Sequence, residues 1–461
     1  MTTTRLWSAL LPFLIIPTIS RADDRELPSF KSLRYDEDYR SLRGSPLLDS
    51  AWGRMKYVEV GDPGGTYLSF GGEIREMVEG YRNEFFSTAD DADSIYLLQR
   101  FLLHMDLHVG DRFRFFTQLQ SSFENGKTGD SDVNRLDLHQ FFADLAFPLN
   151  GDSSLTVRGG RQELSFGSER LIGVREGTNN RRAFDAGRII IASDDWNLDL
   201  FAGSPVEWDQ GIFDDQAIDD VWLWGLYGTL PLSFPVGAKL DAYYIGLHKP
   251  SATFSQGSAR EERHTTGVRF FGEHGPWDFN HEAIYQFGRF GNGTIGAWTV
   301  ATDHGYTFQS IPGKPRVGLK AAVASGDPDT DDSRLATFNP LYPRGNYFTE
   351  AALLGPQNFM DLRPGVSVQV TEDVTLDLGT DFYWRHRTED GVYRPSGSLI
   401  YQGNESNARF VGTDLSLSAE WRVTPHFTVS GAYTHFFAGK FIREAGGADV
   451  DYGSVWITCR F

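Results

Sequence analysis

Alternation of polar and apolar residues with a period of two, kept up over most of the chain, limits this sequence to strands. In residues 99–110, QRFLLHMDLHVG, Arg100, His104, Asp106 and His108 hold even positions while Phe101, Leu103, Met105, Leu107 and Val109 hold odd ones. Side chains of a strand point alternately to its two faces, so this segment has one polar and one apolar face. The next segment repeats the pattern, with Phe113, Phe115, Leu119 and Phe123 set against Arg112, Arg114, Gln118, Gln120 and Glu124. Gly110-Asp111-Arg112 between them makes a tight turn, and the two form a hairpin. Comparable segments lie near 67–80, 97–109, 112–124, 135–147, 154–166, 185–193, 196–204, 221–231, 237–247, 263–273, 277–289, 293–308, 315–325, 358–371, 373–386, 409–424, 427–438 and 450–461.

Eighteen strands of this kind require either a closed barrel or packed sheets. The N-terminal MTTTRLWSALLPFLIIPTISRADD has a basic residue, an apolar stretch from Leu6 to Ile19 broken by Pro12 and Pro17, and the small-x-small triplet Ser20-Arg21-Ala22. These are the parts of a secretory signal peptide over residues 1–22. Export would permit disulfides, yet Cys459 is the single cysteine, so no intrachain bridge can form. No later run is long and apolar enough for a membrane helix. High glycine (49 residues) and 14% aromatics suit an outer-membrane barrel, which places glycine in turns and aromatics at the membrane interfaces. A soluble sandwich would turn its apolar faces inward and fits so many ten-residue strands poorly. The expected fold is therefore all-β, a transmembrane antiparallel barrel of about 18 strands. Residues 66–461 form the barrel and polar residues 23–65 a periplasmic lead-in or plug-like segment. Tight turns near 110, 371 and 424 should face the periplasm, and long connections over 167–184, 205–220, 325–357 and 387–408 the exterior. The terminal VWITCRF, a strand ending in phenylalanine, looks like the assembly signal of outer-membrane barrels.

The formal net charge of −19 argues against a nucleic-acid partner, which calls for a basic stripe. Against that trend, residues 155–191 hold seven arginines (158, 161, 170, 175, 181, 182 and 188) and only four acids, Glu163, Glu169, Glu176 and Asp185. The alternation changes phase between Val157 and Leu164, and Gly159-Gly160 sits at the change. A bulge there would put Arg158 and Arg161 on one face with Glu163 and Ser165, where two arginines could line an anion path. The arginines from Arg170 to Arg182 read instead as loop residues paired with the nearby acids.

Several motifs resemble the alginate-export family of outer-membrane barrels: GRQELSFGSERLIG, NNRRAFD, NPLYPRGNYFTEAALLGPQN, and SLSAEW followed by YTHFFAG. The resemblance runs from RYDEDY at Arg34 to Phe461. It implies a monomeric eighteen-stranded barrel, an arginine-lined pore, loops covering the mouth, and passage of an anionic polysaccharide. Arg75 in GGEIREMVE, Arg158 and Arg161 match basic positions of the exporter's pore. In LHQFFAD, His139 and Gln140 stand where the exporter has an Arg-Glu pair. Histidine, with an unperturbed pKa of about 6.5, is mostly neutral at pH 7, so the constriction would hold less positive charge and alginate itself is not implied.

Further basic residues on polar faces are Arg100, Arg114, Arg269, Lys320, Arg363, Arg385 and Arg409. In a lumen they would select anions, or would pair with inward acids such as Glu73, Asp106, Glu282, Asp377 or Asp381. The expected conduit comprises Arg75, Arg100, Arg158, Arg161 and Lys320, with His139 and Arg363. In SGDPDTDDS, Asp327, Asp329 and Asp331 mimic positions 1, 3 and 5 of an EF-hand. Asp332 stands where glycine is needed and Phe338 where glutamate is, so the run reads as a solvated acidic loop. His104 and His108, about 13 Å apart on a strand, are too distant to share a metal. No catalytic motif, cofactor site or metal site is expected. The sequence points to a Gram-negative outer-membrane channel, embedded among lipid and lipopolysaccharide and open to periplasmic export partners. It would pass an anionic polysaccharide or another organic anion passively. A substrate-uptake porin for small anions or uronates is the alternative, and a barrel enzyme or adhesin a third.

Overall fold

The computed structural model describes residues 28–61, 65–89, 92–126 and 132–461. The signal-peptide expectation, residues 1–22, lies outside the described residues. Eighteen antiparallel strands close into one barrel. In chain order they are β1 Tyr67–Arg82, β2 Ser94–Val109, β3 Phe113–Asn125, β4 Asn134–Pro148, β5 Ser154–Gln162 and β6 Phe184–Ala192. Then come β7 Asn197–Glu207, β8 Trp222–Pro231, β9 Ala238–Phe254, β10 Gly257–His274, β11 Trp277–Phe290 and β12 Gly293–Thr307. The last six are β13 Arg316–Ala324, β14 Phe359–Thr371, β15 Val374–Arg385, β16 Phe410–Arg422, β17 Phe427–Ala438 and β18 Val450–Arg460. Each pairs with its chain neighbours, and β18 closes on β1 from Glu73↔Arg460 to Arg82↔Asp451. Every strand named from the alternation is present.

Closure satisfies the backbone of every strand, which a lipid environment demands. No helix among the described residues is long and apolar enough to cross a membrane. Alternation then divides the residues: Val78, Leu103, Phe141, Val157, Leu417 and Ile457 are exposed on the outer surface, while Arg100, His104, Phe142 and Arg158 are buried within. The connections at one end are all short, and the long connections 163–183, 325–358 and 386–409 lie at the other, beside the two-residue turns 255–256 and 291–292.

One local expectation fails. The β4–β5 and β5–β6 ladders run through Gly159 and Gly160 without a register shift. There is no bulge at those glycines, and Arg158 and Arg161 keep opposite parities. Gly160 instead has φ +129°, and a Cβ there would lie 2.2 Å from the Phe141 carbonyl oxygen, so glycine permits close strand contact. The bulge falls one strand earlier. Gln118 pairs with Gln140 and Leu119 with Leu138, leaving His139 as the extra residue. The strand expected over 154–166 also stops at Gln162, because the chain turns into the lumen there.

Candidate functional site: the filled lumen

Loop 163–183 lies against the inner wall of the barrel and defines the site. Toward β4 and β3, Glu163 accepts from His139 Nε2 at 2.8 Å, and Asn180 Oδ1 accepts from Gln120 at 3.1 Å. Toward β2 and β1, the carbonyls of Glu176 and Thr178 accept from Arg100 Nη1, both at 3.0 Å. Arg75 donates to the same carbonyls at 2.9 and 2.7 Å. Toward β7 and β8, Phe166 stacks on Phe201 and Tyr227 at 5.0 and 5.1 Å. Toward β11, Arg170 pairs with Glu282 at 3.0 Å. The loop therefore spans the lumen from wall to wall.

Loop 325–358 meets it there. Gly173 donates to the Tyr342 carbonyl at 2.9 Å, Tyr342 to that of Leu171 at 2.8 Å, and Arg344 to that of Glu169 at 3.0 Å. From the short-turn end, the N-terminal segment rises to the same depth. Arg34 donates to the carbonyls of Gly72 and Phe461, seating the segment on the closing strands. The Tyr35 hydroxyl donates to the Glu163 carbonyl at 2.8 Å, and its ring lies 4.4 Å below the Arg158 guanidinium.

These contacts locate each expected conduit residue. Arg75 and Arg100 are buried, and they hold loop carbonyls and Glu73. Arg158 is buried in a two-point pair with Asp144 at 2.7 and 2.8 Å. Arg161 pairs with Asp185 at 2.7 Å. His139 is buried on Glu163. Arg363 donates to Ser416 at 3.2 Å and to the Phe348 carbonyl. Lys320 differs from the others: its side chain is 55% exposed and lies 3.5 Å from Asp303, directly across the strand pair from Arg363. The structure thus brings Lys320 and Arg363 together, and separates them from the arginines that anchor the loop.

Burial alone would raise the Glu163 carboxyl, but the Arg181 guanidinium and His139 hold it down to about 2. It stays ionised as the centre of that anchor. Arg182 shows the reverse case. Burial and then neighbouring Arg175 push it down to about 9, so positive charge is crowded there.

The loop arginines divide. Arg170 and Arg181 pair with acids, as the sequence suggested for this loop. Arg175 and Arg182 have no carboxylate within pairing distance among the described residues, nor has Arg344. Arg175 packs over Trp208 at 5.3 Å and Arg182 over Tyr342 at 5.1 Å. A Cβ on Gly345 would meet Thr178 at 2.8 Å and Arg175 Nε at 3.8 Å, which places Arg175 beside the start of the Arg344 segment. For Arg175 and Arg182 the sequence signal was the surplus of arginines over acids in residues 155–191.

The SGDPDTDDS run folds back on itself. Asp327 is buried and accepts from the backbone of Asp329 and Ala336, both at 3.1 Å, while burial pushes its carboxyl up to about 6. Its oxygens are committed to shaping the loop.

The alginate-export family model matches residues 66–455. No curated protein matches the sequence. Among solved structures, the barrel is similar to Pseudomonas aeruginosa OccK2 (OpdF) in complex with glucuronate, with TM-score 0.56, 9% identity, and 86% of this chain and 98% of that one covered. It is also similar to Pseudomonas aeruginosa OpdK with vanillate, with TM-score 0.55, 10% identity, and 85% and 98% covered. A third is Pseudomonas aeruginosa OccK11 (OpdR), with TM-score 0.54, 11% identity, and 86% and 96% covered. At such identities these likenesses show the fold. Together with the family match they place the protein in the Gram-negative outer membrane as a channel. The chain belongs to the alginate-export family of outer-membrane β-barrels.

Proposed function

We propose that the protein passes an anionic saccharide or a comparable organic anion, of the uronate class, down its concentration gradient without chemistry. The observation that carries this reading is the basic cluster Arg175, Arg182 and Arg344 where the two inner loops meet, none of them in a carboxylate pair among the described residues, in a chain of net charge −19. Lys320 and Arg363 continue positive charge along the wall. Fixed cations lining a narrow aqueous path replace part of an anion's hydration and repel cations. In this reading Arg75, Arg100, Arg158, Arg161 and His139 act by holding the inner loop and the strand ends. Residues 28–57 act as a plug at the periplasmic mouth. The structure of OccK2, similar in fold, in complex with glucuronate supports a uronate as the solute class.

The test is the reversal potential of single channels in a planar bilayer under a salt gradient, with oligouronates added to one side. Anion selectivity and oligouronate block are expected in the wild type, and both should weaken in the Arg175→Ala/Arg344→Ala variant. A cation-selective wild type, or equal block in the variant, would exclude the reading.

A further inference from the structure

One group of carboxylates has no ion-pair partner among the described residues. Asp137 of β4 and Asp214 and Asp215 of loop 208–221 each bring a carboxylate oxygen to within 4.8 Å of the other two. Asp137 is buried at 2% exposure. Among the described residues no lysine or arginine pairs with any of the three carboxylates. Arg161 comes close, donating to the Asp215 carbonyl at 3.2 Å, but its guanidinium is spent on Asp185.

A second observation points to a ligand. Asn134 is fully buried, and its amide nitrogen donates to Asp215 Oδ2 at 2.9 Å, which fixes its head group at the cluster. Its amide oxygen is buried and has no hydrogen-bond partner among the described residues. Covalent geometry keeps that oxygen within about 5 Å of the Asp215 carboxylate. Asp214 Oδ1 is likewise buried and unpartnered. Gly211 makes the approach of Asp214 possible, because a Cβ there would lie 2.0 Å from Asp214 Oδ2. A buried amide oxygen costs free energy unless a donor or a cation meets its lone pairs. Asp137 accepts from the backbone N–H groups of Asp214 and Asp215, and Asp215 from that of Asp209, but carboxylates this close still repel one another.

We infer that Asp137, Asp214, Asp215 and Asn134 form a divalent-cation site, with calcium the cation that fits. All donors are oxygens, which selects hard cations, and calcium accepts irregular geometry with several carboxylates whereas magnesium requires a near-ideal octahedron. The cation ties loop 208–221 to β4 at the long-loop rim. The loop already runs beside that strand, with Phe213 donating to the Leu136 carbonyl at 2.9 Å.

The test uses the full chain refolded in detergent, stripped with EDTA and titrated with calcium by calorimetry. Terbium serves as a second probe, because Trp208 lines the same small pocket as Asp215 and can sensitise its emission. One saturable calcium site is expected, in the range of about 10⁻⁴–10⁻³ M typical of extracellular calcium modules, with magnesium at least about tenfold weaker. Asp214→Asn should weaken calcium by about tenfold or more, Trp208→Phe should remove most terbium emission, and Asp331→Asn should change neither. Absence of saturable calcium binding in the wild type overturns the site. So does binding that Asp214→Asn leaves intact, or terbium emission that Trp208→Phe leaves undiminished. Asp215→Asn replaces Asp214→Asn if the latter does not fold, as judged by heat-modifiable mobility.

Discussion

Arg100 holds Glu73 at 2.6 Å with one nitrogen and the carbonyls of Glu176 and Thr178, both at 3.0 Å, with another. A single buried guanidinium on β2 thus joins the barrel wall to the loop that fills the lumen. Desolvating an ion pair costs several kcal/mol, which these hydrogen bonds offset. Removing one partner leaves the rest buried and unpaired.

Arg100→Ala should therefore destabilise the protein by about 3–5 kcal/mol and release the inner loop. Thermal unfolding in detergent would show a lowered midpoint, and single channels should be larger and noisier. A quiet channel of wild-type conductance would mean that the loop is held by other contacts.

Lys320 is the expected conduit residue with most of its side chain open. Because it is exposed and makes one loose pair, Lys320→Ala should alter stability by no more than about 0.5 kcal/mol. Its effect belongs in the reversal potential, which should move toward zero, and further with Arg363→Ala.

Tyr35 links the N-terminal segment to the inner loop through its hydroxyl and to Arg158 through its ring. Tyr35→Ala should raise single-channel conductance by loosening that segment while leaving the heat-modifiable barrel intact. Unchanged conductance would show that this segment does not limit the path.

Lys56, on the helix Ala51–Lys56 of the same segment, is almost wholly buried, 4.0 Å from Glu37, and burial pushes it from 10.5 down to about 7. Between those values the folded protein holds fewer protons at this site than the unfolded chain. Stability should then rise with pH from about 7 to 10.5, and the cost of burying the charge is fully present below that window. Lys56→Met should remove this slope and gain about 1–4 kcal/mol at neutral pH, because Arg34 and Tyr39 still satisfy Glu37. Denaturation followed across that pH range in both proteins is the check.

Where sequence reading fell short, the reason was local geometry. The phase change between Val157 and Leu164 looked like a bulge, but the strand simply ends at Gln162 and the chain leaves the wall. The real bulge, at His139, sits in LHQFFAD, where no glycine marks it. Arg175 and Arg182 resembled the other loop arginines, because pairing depends on which acids the fold brings near.

The sequence by itself determined the number of strands, their faces, and the ends at which short and long connections lie. Period-two alternation is a local property, and a closed barrel is the arrangement that satisfies it in lipid. Tertiary structure alone decided which basic side chains anchor and which remain open. Arg75 reaches Thr178 across 103 residues of chain, and Tyr35 reaches Glu163 across 128. A charge on the inner face is recruited or left free by the loop that lands on it, and that depends on contacts remote in the sequence.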